Sequence, residues 1–134
     1  MRNDKRRTRD SGKGGVLMNS CNKGKVGERE WRDQLRAAGW DARRGQQFSG
    51  GKDSPDVICP FLDFMHWEVK RVEALNLRDA TAQAEGDAGG KPWAVAHRRN
   101  NAPWLVTVKA EFFFELLRQY TKTNTQNENT EKNQ

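Results

Sequence analysis

The sequence predicts a mixed α/β domain, a sheet flanked by helices in the order α-β-β-β-α-β-β-α. Three observations carry that prediction. Apolar residues recur at helical spacing in two well-separated segments, 24–38 and 111–120. Alternation of apolar and polar residues over 65–70 marks a strand spanning 64–71. Between these segments, clusters of Gly, Pro, Asn and Ser punctuate the chain at the intervals a small mixed sheet requires. The 134 residues suffice for one compact domain and are too few for two.

The elements follow in order. Val26, Trp31, Leu35 and Ala38 share a helical face, and Gly39 provides the stop. The polar stretch 41–47 suits an edge strand, and 48–54 is a loop by composition. A short strand spans 55–59, with Pro55 tolerated at its first position, and 60–63 is a turn. In the strand 64–71, Met65, Trp67 and Val69 take one face and His66, Glu68 and Lys70 the other. A helix over 75–85 is capped by Asn76 and ended by the glycines of 86–90. Strands over 91–96 and 104–109 are joined through Asn100 and Asn101. A helix over 111–120 closes the core, with Phe113, Phe114, Leu117 and Tyr120 as its expected buried side.

Charge is distributed unevenly. Eight of the 24 Lys and Arg, but only two of the 18 Asp and Glu, lie in residues 1–25. The net charge of +6 therefore belongs to that segment, and the remainder is balanced. Residues 1–22 read as a flexible basic arm suited to phosphate. Lys13-Gly14-Gly15 can be encoded by a purine-rich ribosome-binding pattern, and Met18 follows it closely. A natural start at Met18, with 1–17 untranslated, is the expectation. Residues 121–134 contain only polar types that bury nothing, so a disordered tail is expected there. The folded domain is then 23–120. No apolar run approaches the roughly 20 residues of a spanning helix, which excludes that class of membrane protein. The basic start lacks the apolar segment of a secretory signal, and Cys21 and Cys59 offer no disulfide framework. A reduced, cytoplasmic setting is expected, in a bacterial cell or a phage-infected host.

The strand 64–71 carries the chemistry. Glu68 and Lys70 point to one face, and Asp56 lies just inside the preceding strand. Adjacent strands bring Asp56 and Glu68 into one small volume with the Lys70 ammonium beside them. Close carboxylates repel, and one resists ionisation unless a cation sits between them. An all-oxygen set with open positions suits Mg2+, with Mn2+ as a substitute. Glu28 joins from the first helix, about 20° from Leu35 and about 60° from Trp31 on the helical wheel. A carboxylate on that inward side is costly unless it is paired or holds a metal.

Pro55-Asp56, Glu68-Val69-Lys70 and Glu28 on the preceding helix resemble the PD-(D/E)xK nucleases of restriction-endonuclease-like fold. Among them the pattern is most similar to Holliday-junction resolvases of archaeal and phage type, over about 23–120. The resemblance implies a DNA endonuclease in which Glu28, Asp56 and Glu68 bind the divalent metal and Lys70 assists the attacking water. It also implies auxiliary places for Ser54, before the motif, and Gln83, on the helix after it. Branched DNA is the implied partner. Symmetric cutting of a four-way junction implies a homodimer, with Trp93, Trp104, Phe112 and Phe113 supplying apolar surface for it. Arg43, Arg44, Lys52 and Arg71 are the candidate phosphate contacts, and Arg98 and Arg99 are weaker ones. The core lacks the strongly basic surface of a junction binder. Two other readings therefore stand beside the resolvase: a nickase or flap or fork nuclease, and a catalytically silent DNA-binding module.

The remaining motifs are ordinary. His66 and His97 read as isolated surface or satisfied histidines, and Cys59 as strand packing. Gly50-Gly51-Lys52 is followed by Asp53 and so is not a phosphate-binding loop. The tryptophans read as core, with Trp40 free to stack on a base.

Overall fold

A computed structural model of the chain describes residues 20–45 and 55–133. The first helix, α1 (Ser20–Ala37), buries Trp31 and Leu35 and ends at Gly39, which takes a positive φ of 105°. It lies close against the sheet because position 27 has no side chain. A Cβ on Gly27 would stand 2.8 Å from the Cβ of Arg71. That close approach sets the depth at which the next residue, Glu28, enters the molecule.

Two short strands follow, β1 (Arg43–Arg44) and β2 (Val57–Ile58), paired antiparallel with Arg44 opposite Val57. Both are shorter than the 41–47 and 55–59 expected. Pro55 has no N–H to extend the ladder, and 46–54 lie outside the described residues. Gly45 meets the Pro55 carbonyl so closely that a side chain there would collide with it. A 3₁₀ turn over Pro60–Leu62 leads to β3 (His66–Arg71).

β3 runs parallel to β4 (Trp93–Arg98), and β4 runs antiparallel to β5 (Leu105–Val108). The parallel pair needs a crossover, supplied by α2 (Leu77–Asp87). Asn76 caps α2 as expected, its side-chain oxygen accepting from the Asp79 N–H at 3.1 Å. The result is a mixed three-stranded sheet with helices on both faces. β1 and β2 form a separate pair, joined to β3 by the Asp56 N–H donating to the Trp67 carbonyl at 3.1 Å.

The alternation of β3 and β4 sorts the core into two layers. Trp67, Val69, Ala94 and Ala96 pack with Trp31, Leu35, Val57 and Cys59 on the α1 side. Trp93 and Val95 pack with Ala80 and Ala84 of α2 and with Ala88 at its C-cap on the other. Three alanines at every fourth position bring α2 down onto the sheet, directly over the face that carries His66 and Glu68.

The last helix departs from expectation. α3 (Ala110–Lys132) buries none of its residues, and Phe113, Phe114, Leu117 and Tyr120 are exposed. Leu105 and Val106 of the edge strand β5 are exposed as well, and among the described residues nothing covers the apolar face of α3. Only Phe112 turns inward, against Phe64 at 6.4 Å between ring centroids. Trp93 is buried and Trp104 packs on the α1 core, which removes both from any surface patch. Beyond Tyr120 the chain is helical to Lys132 where a disordered tail was expected. Those residues bury nothing, and Thr121, Thr123, Thr125 and Thr130 return their hydroxyls to carbonyls four residues back.

Candidate active site

Asp56 is held at two points. Its N–H is bound to β3, and its carboxylate oxygen Oδ2 accepts from the Val69 N–H at 2.8 Å. The side chain therefore lies along the edge of β3, beside Glu68 and Lys70. Its pKa is pushed up from 3.8 to about 7, first by burial and next by the charge of Glu68. Glu28 adds to the rise, while the Val69 N–H and Lys70 oppose it. Three carboxylates and the lysine thus feel one another, as the sequence spacing predicts.

Glu68 stands at the centre, 4% exposed. Its Oε1 is 3.4 Å from Lys70 Nζ, and its Oε2 is 3.4 Å from His66 Nε2. Lys70 is fixed from the other side by α2, donating to Gln83 Oε1 at 2.9 Å. The polar position at Gln83 is thereby explained: it orients the ammonium. Glu28 accepts from Arg44 Nε at 2.8 Å, which satisfies a carboxylate otherwise stranded on the inner face of α1.

The arginines divide. Arg44 is turned to Glu28, and Arg43, its neighbour on the strand, points away and is exposed. Arg71 and Arg98 both pair with Glu30, at 3.0 Å each. Arg99 is exposed. Ser54 and Lys52 lie outside the described residues.

Two residues of this neighbourhood escaped the sequence reading. His66 is neither isolated nor on the surface; it is 5% exposed, against Glu68. Its position two residues before Glu68 on the same strand face was the available signal. Asp87, at the end of α2, joins His66 and Glu68 in a group whose ligand atoms lie within 4.8 Å of one another. No local spacing links it to the motif; only the packing of α2 does. His97 bonds Thr107 across β4 and β5 at 3.0 Å, and burial lowers its pKa. Cys59 is buried as expected, and Trp40 is exposed.

The donor set of Asp56, Glu68 and Glu28 is all oxygen, the chemistry of a hard dication, although among the described residues the group whose ligand atoms already lie within 4.8 Å of one another is His66, Glu68 and Asp87. The elevated pKa of Asp56 is a second sign of fit, because a bound cation relieves the repulsion that helps raise it. No family model and no curated protein matches the chain. Among solved structures it is similar to a Holliday junction resolvase from the archaeal hyperthermophile Archaeoglobus fulgidus, with 26% identity, 64% of this chain and 72% of that chain covered, and a TM-score of 0.47.

Proposed function

We propose that the chain is a metal-dependent DNA endonuclease that hydrolyses phosphodiester bonds in branched DNA. One observation carries the reading. Lys70 Nζ is held between Glu68 Oε1 and Gln83 Oε1, next to an Asp56 fixed on a backbone N–H and crowded by Glu28. A salt-bridged surface face has no reason to bury its carboxylates or to brace its lysine.

Asp56, Glu68 and Glu28 would hold Mg2+, or Mn2+ in its place, and a cation bound there would supply charge to polarise the scissile phosphate and acidify a water. Lys70 orients that water and offsets charge developing on the phosphate oxygens. Gln83 keeps the ammonium from collapsing fully onto Glu68. Arg44 holds the Glu28 carboxylate in place through its Nε at 2.8 Å. Arg43 and Lys52 position the DNA backbone without reading sequence, whereas Arg71 is engaged by Glu30.

Each chain carries one set of these residues, so paired cuts require two copies. A second copy covers the exposed face of α3, with Phe113, Phe114, Leu117 and Tyr120, in a two-fold homodimer. The test is a panel of four-way junction, flap, nicked and linear duplex DNA, with and without Mg2+. Metal-dependent cutting of the junction at symmetric positions is expected. Cutting only flaps or single strands replaces the resolvase reading with the nickase or flap nuclease, and no cutting at all leaves a binding module.

A further inference from the structure

We propose that His66, Glu68 and Asp87 form a second cation site, distinct from the all-carboxylate one, for a transition-metal dication of the Zn2+ or Co2+ type. It shares Glu68 with the proposed nuclease centre but needs no nuclease activity to exist. The geometry points there on four grounds.

The first is the spacing of His66 Nε2 and Glu68 Oε2. At 3.4 Å they are too far apart for a good N–H···O bond, which falls at about 2.7–3.2 Å. That separation is the edge of a tetrahedron around Zn2+, about 3.4 Å for bonds of about 2.0–2.1 Å. The second is the third ligand. Asp87 closes the group to within 4.8 Å, and the last turn of α2 places it, tied by the Ala88 N–H to the Ala84 carbonyl.

The third is electrostatic. The C-terminal end of α2 presents the negative pole of the helix beside a carboxylate, which favours a cation. Lys91, which lines the same cavity as Asp87, donates instead to the Asp63 carbonyl at 3.2 Å. The fourth is access. His66, Asp87 and Lys91 line a cavity of about 570 Å³ that opens at this end of the sheet, with room for water or a substrate oxygen as the fourth ligand.

An imidazole donor selects the cation. Mg2+ takes oxygen ligands in octahedral geometry and holds its waters, whereas Zn2+ and Co2+ accept imidazole readily. Glu68 offers Oε2 to this site and Oε1 to the Lys70 side, so one carboxylate joins the two.

The experiment uses the full chain, stripped of metal with a chelator. It is titrated with Zn2+ by calorimetry and with Co2+ by visible absorption, where tetrahedral coordination gives intense bands. The wild type is expected to show those bands. His66→Gln and Asp87→Asn are each expected to weaken Zn2+ binding by at least about tenfold. Asp56→Asn, which disables the other site, should leave this affinity within about twofold. Should His66→Gln fail to fold, Asp87→Asn at the partly exposed helix end decides. The proposal is overturned by absence of the Co2+ bands, by wild-type Zn2+ affinity in Asp87→Asn, or by loss of the same binding event in Asp56→Asn. Mg2+-dependent cleavage is scored separately, so failure of the nuclease reading does not register as failure here.

Discussion

Lys70 owes its place to two oxygens, one from its own strand and one from α2. On the proposed reading its work is confined to the water and the transition state, so Lys70→Ala should fold and bind DNA as the wild type does. Its cleavage rate should fall by about 10²–10⁴ in single-turnover assays; cutting at the wild-type rate would show that the ammonium has no part in the chemistry. Asp56 offers a test that needs no substrate. Its carboxyl titrates near 3.8 when unfolded and at about 7 when folded. Between those values the folded chain holds a proton that the unfolded chain has lost, so stability without metal falls as pH rises from about 4 to about 7 and is level above. Asp56→Asn should flatten that decline in urea unfolding with chelator present. An unchanged pH profile would place the titration elsewhere. At this scale the sequence was legible where chemistry repeats along a strand: Glu68 and Lys70 from period two, Glu28 from the helical wheel. His66 looked ordinary because one residue cannot announce which helix will cover it.

At the scale of elements, the approach of α1 to β3 depends on Gly27. Alanine is the better helix former by about 1 kcal/mol. Yet its Cβ would stand 2.8 Å from Arg71 Cβ, an atom fixed to strand backbone with little freedom to yield. Overpacking of this kind costs about 1–3 kcal/mol, so Gly27→Ala should destabilise the fold by roughly 1 kcal/mol net. It should also lift Glu28 and weaken Mg2+ binding, both readable by urea unfolding and calorimetry; a stabilised variant with unchanged affinity would show that α1 has slack. Alternation placed β3 correctly, and Asn76 announced the start of α2. The error on α3 has a different source. Periodicity in Phe113, Leu117 and Tyr120 identifies an apolar face, but what covers that face is decided by tertiary packing, and among the described residues nothing does.

Across the whole molecule, that uncovered face predicts association. Phe114→Glu with Leu117→Glu should yield a monomer by light scattering at micromolar concentration, with the fold unaltered because neither residue is buried in the domain. A wild type that is itself monomeric, free and on a junction, would remove the homodimer. One further feature lies at the heart of the α1 layer. Trp31 packs tilted against Trp67 at 5.5 Å and against Trp104 at 5.2 Å between ring centroids, and the three buried indole N–H groups have no partner among the described residues. These protons lie on α1, on β3 and just before β5 and are buried around one core, so they exchange with deuterium only when that core opens as a unit. Their nuclear-magnetic-resonance signals should fade together, at the rate of global opening, while the amides of α3 beyond Tyr120 exchange far sooner. The three rings are thus a built-in clock for the cooperativity of the fold.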